Sequence, residues 1–153
     1  MRLIVAAVGK PRDQALGAAI EQYERRAARY WPLDIREVRE ERPHGGDVAA
    51  VLVKEAERLA ARVEGASVVA CDERGVRMTS RTFATFLQEA RERARDMAFV
   101  IGGAHGLADS IRDAAQTRLA LAPWTLPHEL ARLVLSEQLY RAGTIVRGEP
   151  YHK

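Results

Sequence analysis

Runs that are apolar at nearly every position alternate along this chain with stretches whose apolar residues recur every three or four positions. Leu3 to Val8, Ala66 to Asp72, Met97 to Ile101 and Leu119 to Ala122 are of the first kind, as expected of strands covered on both faces in a parallel sheet. Leu33 to Glu40 alternates in part, which predicts a strand open to solvent on one side. Asp13 can cap a helix that turns Leu16, Ile20, Tyr23 and Ala27 inward, and Pro32 stops it. Asp47 opens a second helix through Val51, Leu52, Ala56, Leu59 and Val63, with Gly65 at its end. Thr79 or Ser80 caps a third, reaching about Arg95, with Phe83, Phe86, Leu87 and Ala90 inward. A short helix over Ala108 to Ala115 and a long one from about Pro127 to Ala142 complete the set. Strands alternating with helices predict an α/β fold, a mostly parallel sheet flanked by helices. Without an internal repeat, low-complexity stretch or linker, the pattern predicts a single domain over residues 1–153.

Composition changes this picture little. A chain of 153 residues that is 47% hydrophobic is large enough for a core without disulfides or structural metals. The formal net charge of +3 permits an anionic partner such as RNA without demanding one. Cys71 is the single cysteine, so there is no intramolecular disulfide and no cysteine-based metal site. Lying within an apolar run, it reads as a small buried hydrophobe rather than a nucleophile. No metal is expected. No run approaches the roughly 20 apolar residues of a membrane span, and the N-terminus enters a strand pattern at once, so a cytoplasmic protein without a membrane partner is expected.

Candidate chemistry gathers in the last third. Gly102-Gly103-Ala104-His105-Gly106 follows a strand and precedes a helix. Glycines there serve either a tight turn or the close approach of a backbone to a ligand, and the loop matches neither GxGxxG nor a phosphate loop. Leu121-Ala122-Pro123-Trp124-Thr125-Leu126-Pro127 brackets an aromatic with prolines. It is either a stiff backbone that hydrogen-bonds the edge of a base, or a loop whose Trp124 packs on the core. On the final helix Glu137 and Arg141 are spaced for an i,i+4 ion pair. His128 stands at the helix start, where the dipole disfavours the cation. The ending Tyr151-His152-Lys153 either frays or stacks on a base and pairs with phosphate.

Taken together, LIVAAVGK, IGGAHGL, TLPHELARLVLSEQLYRA and RGEPYHK resemble the ribosomal RNA large subunit methyltransferase H family, of the SPOUT class. The resemblance spans essentially the whole chain. It implies a homodimer whose C-terminal part is threaded into a trefoil knot. It further implies transfer of a methyl group from S-adenosylmethionine to N3 of a pseudouridine in 23S ribosomal RNA, within the large subunit or the assembled ribosome. By motif, the cofactor contacts would be Cys71, Gly102, Leu121, Ala122, Pro123, Trp124, Thr125 and Leu126. The substrate side would hold His128, Arg132 and Lys153, and the catalytic group His152, Arg141 and Tyr151. Two positions depart from the family pattern: Cys71 stands where relatives often carry Leu, and Gly143 where they carry an aromatic, a change expected to loosen a dimer or RNA contact.

Methyl transfer needs alignment above all, with reacting atoms held about 3–3.5 Å apart, and a group to accept the N3 proton, for which His152 is the candidate. The competing readings are a non-catalytic ribosome- or RNA-binding module, and an α/β enzyme for another small nucleotide.

Overall fold

The computed structural model describes residues 1–152, the side chain of His152 excepted. Five strands, β1 (Leu3–Val8), β2 (Leu33–Val38), β3 (Ser67–Arg77), β4 (Met97–Ile101) and β5 (Thr117–Ala120), form one sheet in the order β2-β1-β4-β3-β5. Every pairing in it is parallel. The helices are α1 (Gln14–Ala27), α2 (Val48–Arg62), α3 (Ser80–Glu92), α4 (Asp109–Ala114) and α5 (His128–Val146), followed by a single 3-10 turn, Pro150–His152.

The period of two along each strand decides which layer a residue joins. Leu3, Val5 and Ala7 of β1 and Met97, Phe99 and Ile101 of β4 face a core closed by Ala27, Trp31, Phe83, Leu87, Leu135 and Leu139, so α1, α3 and α5 cover that side. Ile4, Ala6, Val8, Ala98 and Val100 face the opposite core, closed by Ala56 and Leu59 of α2 and Ile111 of α4. This two-sided cover explains why β1 and β4 are buried at every position while the edge strand β2 is only half-buried. Each large side chain sealed there, Phe99 or Leu139 for example, contributes about 1.5–3 kcal/mol by leaving water.

The capping residues act as their chemistry requires: Asp13 accepts from the Leu16 amide, Asp47 from Ala50 and Thr79 from Thr82. Several boundaries differ from expectation: α5 runs on to Val146 and β5 lies two residues earlier, at Thr117–Ala120. α1 ends at Ala27, before Pro32, because the following turn carries Trp31 into the core, where its indole N–H donates to the Leu139 carbonyl at 2.9 Å. α3 ends at Glu92, since Ala94 takes φ 51°. The predicted turn Glu73-Arg74-Gly75 lies inside β3, which bulges there: its pairing with β5 shifts register between Cys71 and Val76. A Cβ on Gly75 would stand 2.5 Å from the Arg118 backbone, so only glycine lets the two strands close after the bulge.

Candidate active site

β4 ends beside the bulge of β3, and the loop that leaves β4 meets that bulge and the loop after β5 around a cavity of about 460 Å³. Its wall is formed by Cys71 to Arg74, by Ile101 to Leu107 with Arg112, and by the segment around Trp124 leading to His128 and Ala131. Crevices outside the carboxyl ends of parallel strands are where open α/β sheets bind ligands, and the volume suits a small organic ligand.

The glycine loop is held tightly. Gly106, at φ 80°, donates its amide to the Gly103 carbonyl at 3.0 Å. A Cβ on Gly102 would lie 2.4 Å from the Gly106 carbonyl group. The loop is therefore a tight turn and a cavity wall at once, and neither of the two sequence readings excludes the other. Trp124 is 76% exposed, so the alternative of an indole packed on the core is wrong. Thr125 donates its hydroxyl to Glu73, tying the proline-bracketed loop to the bulge of β3.

Charged groups line the cavity floor. Asp72 is buried and its carboxylate faces the Arg112 guanidinium, Oδ2 to Nε 2.9 Å, with Arg74 Nε 3.6 Å from Oδ1. Burial would raise the Asp72 carboxyl. The Arg74 amide and the charges of Arg112 and Arg74 more than reverse that and hold it below its ordinary value. Burial pushes the Cys71 thiol up to about 12, so it is an inert wall atom and no nucleophile. Among the described residues no group of three or more His, Cys, Asp and Glu side chains could hold a metal ion, and no helix is long and apolar enough to cross a membrane.

The structure thus gathers the expected cofactor residues Cys71, Gly102, Leu121, Ala122, Trp124, Thr125 and Leu126 on one cavity, with His128 of the substrate set beside them; Pro123 is outside the lining. Asp72, Arg74 and Arg112 line it too and were not singled out. The signal for Asp72 was present, a charged residue ending a buried strand. Nothing local marks Arg112, which arrives from α4.

The other expected residues lie elsewhere. Arg132 is buried in ion pairs with Glu24 (2.8 Å) and Glu37 (2.8 Å), joining α5 to α1 and β2. Arg141 pairs with Glu137 at 2.6 Å and lies over the Tyr151 ring, 4.9 Å from its centroid. The Tyr151 hydroxyl donates to Glu137 at 3.1 Å, and its ring packs on Tyr140 at 4.5 Å. Burial, then hydrogen bonds with Tyr23 and Glu137, push the Tyr151 hydroxyl well above its ordinary value. The tail up to Tyr151 is therefore packed on α5 and does not fray. The His152 side chain and Lys153 lie outside the described residues. At about 1.5 Å of rise per residue, His128 and Arg141 stand about 20 Å apart along α5. Gly143 is also accounted for: a Cβ there would stand 2.3 Å from the Tyr30 ring, which fills the space an aromatic at 143 would need. The Tyr30 hydroxyl in turn donates to Glu149 and is pushed up to about 12, chiefly by that bond.

The family described as "Predicted SPOUT methyltransferase" matches residues 1–152. This chain belongs to that family. It is 59% identical over 154 residues to a protein of Gemmatimonas aurantiaca named Ribosomal RNA large subunit methyltransferase H, with 100% of both chains covered. A protein of the same name from an Anaeromyxobacter species is 49% identical, again over 100% of each. Among solved structures, a probable methylase family protein from Haemophilus influenzae matches with TM-score 0.60 at 15% identity, over 99% of this chain and 70% of that one, which supports the fold. SPOUT methyltransferases use S-adenosylmethionine, and the cavity fits it: glycine walls that a Cβ would fill, an apolar side at Leu121 and Leu126, and polar groups at the floor.

Proposed function

We propose that this chain is an S-adenosylmethionine-dependent ribosomal RNA methyltransferase that methylates N3 of a pseudouridine in 23S RNA, working as a homodimer on the large subunit or the whole ribosome. Two named relatives matching over their full length support the ribosomal RNA substrate. The observation that carries the reading is the cavity itself, whose wall contains every expected cofactor residue except Pro123. A non-catalytic RNA-binding module is not favoured, since it has no use for such a crevice in a methyltransferase chain. A ribosomal substrate places the protein in the cytoplasm, and the C-terminal trefoil knot belongs to the same reading.

When bound, S-adenosylmethionine supplies the methyl group from a sulfonium centre. The chain's own task is alignment and proton management. The loops of β4 and β5 hold the donor by backbone groups, and His128, which lines the same cavity, is assigned to the substrate side. As the new N–CH3 bond forms, the N3 proton leaves to a base, the role of His152, while Arg141 steadies charge developing on the base. Along α5, Arg141 of the tail cluster stands about 20 Å from His128 and about 15 Å from Ala131 of the cavity wall, more than a single nucleobase can bridge. That separation supports a dimer in which the tail of one protomer serves the cavity of its partner.

The test is single-turnover methylation of assembled ribosomes, free large subunits and naked 23S RNA, with the product located by mass spectrometry. Ribosomal particles should accept the methyl group and naked RNA should accept far less, because a net charge of +3 grips free RNA weakly. His152→Ala should slow the particle reaction by about a hundredfold. No methylation of any of the three would refute the proposal, and an unchanged rate would remove His152 from it.

A further inference from the structure

Asp72 Oδ2 and Arg112 Nε stand 2.9 Å apart, yet both are buried without a directed hydrogen bond to any described residue. The charges meet, but the N–H does not point at the oxygen. A buried donor and acceptor left in this state each forgo about 1–3 kcal/mol of hydrogen bonding. An ion pair built for stability alone would close that bond. Asp72 is well anchored from its other side, where Oδ1 accepts from the Arg74 amide at 3.1 Å. Arg112 is anchored by Asp109, Nη1 to Oδ1 3.0 Å, and its Nη2 lies beside the glycine loop, 3.7 Å from where a Cβ on Gly106 would stand. Both residues line the large cavity.

A ligand end that carries one cation and one anion on neighbouring atoms satisfies such a pair. An α-amino acid head group is that ligand: its ammonium supplies a donor for the carboxylate and its carboxylate an acceptor for the guanidinium. We infer that Asp72 and Arg112 form the clamp for the amino acid end of the cofactor, Arg112 taking its carboxylate and Asp72 its ammonium. The inference rests on the reading of the cavity as the S-adenosylmethionine site. It adds a division of the cavity: the Leu121 to Leu126 segment takes the nucleoside end, and the floor between β3 and α4 takes the amino acid end. Arg74 is the weaker candidate for the carboxylate, since its side chain is 67% exposed and reaches outward.

The test compares binding by calorimetry of S-adenosylhomocysteine, its decarboxylated analogue S-adenosyl-3-thiopropylamine, and methylthioadenosine, which lacks the whole head group. With the wild type, removal of the carboxylate should weaken binding by about tenfold to a hundredfold, the worth of one charge-assisted bond. Arg112→Met should lower the affinity for S-adenosylhomocysteine by a similar factor and leave methylthioadenosine unchanged. Equal binding of the carboxylate and decarboxylated ligands by the wild type would overturn the clamp, whatever the variant does. So would a variant that loses both full ligand and methylthioadenosine alike, which is the mark of a merely structural role. If the wild type binds none of the three, the cofactor reading of the cavity itself falls, and the clamp with it.

Discussion

The two ends of α5 are built by opposite means. At its start, the cavity is made of loops, and what matters there is the absence of side chains: a Cβ at Gly102 would meet backbone at 2.4 Å. At its far end, Tyr140, Tyr151, Arg141 and Glu137 interlock through rings and charge, and what matters is which side chains are present. A backbone-walled site recognises a flat, edge-bonding ligand such as a nucleoside. A cluster of aromatics and a guanidinium presents a face on which a base can rest. In the proposed dimer, the donor side of one protomer and the acceptor side of its partner are built by different means, and assembly would bring them together.

Arg132 ties α5, which carries both regions, to α1 and β2, so its removal tests how far they depend on that bridge. Arg132→Met leaves Glu24 and Glu37 without their cation, and breaking a buried pair of this kind costs about 3–5 kcal/mol. Thermal unfolding should shift down by about 10 °C. A shift under a few degrees, with ribosome affinity falling instead, would return Arg132 to the substrate side.

Gly102→Val and Tyr151→Ala should fail in different ways. The valine variant is expected to lose S-adenosylmethionine affinity by at least about a hundredfold, since its side chain must displace the Gly106 backbone or fill the cavity. Tyr151→Ala should bind the cofactor as the wild type does but methylate ribosomes about tenfold to a hundredfold more slowly. Calorimetry and single-turnover rates on both variants check this. A common loss of cofactor affinity would show that the two ends are one site after all.

The smallest expected effect concerns pH. Glu55 is buried beneath the glycine loop, with Oε2 3.3 Å from where a Cβ on Gly103 would stand. Burial, only partly offset by a bond from the Glu41 amide, raises its carboxyl above the ordinary 4.5. The fold therefore favours the protonated acid. Its stabilising contribution is full below 4.5 and is lost as pH climbs through the raised value. Glu55→Gln keeps a neutral group there at every pH, so denaturant midpoints of the variant should decline less over that window than those of the wild type. The tail cluster, with the Tyr151 hydroxyl pushed far from neutrality, should show no matching trend. Parallel pH profiles for wild type and variant would exclude Glu55 as the source.

Much of this was legible in the linear chain. Apolar runs marked β1 and β4 because strands covered on two faces have no polar side to show. Asp13, Asp47 and Thr79 marked helix starts because only a short oxygen-bearing side chain reaches back to an orphan amide. The residues expected to hold the cofactor came from the joined motifs of the family resemblance, and all but Pro123 line one cavity in the structure. The bulge in β3 was missed, since Gly75 reads as a turn until β5 is seen pressed against it. Arg112 was missed because the chain carries no local mark of which distant carboxylate a guanidinium will meet.

By itself the sequence determined the period of each element, its caps and the chemistry of its loops, all of which are set by neighbours within a few residues. Tertiary structure alone decided the strand order, the partners of Asp72 and Arg132, and the Tyr30 ring that fills the space beside Gly143. Those depend on which surfaces meet when the layers close, and contacts between residues far apart in the chain leave no periodicity behind.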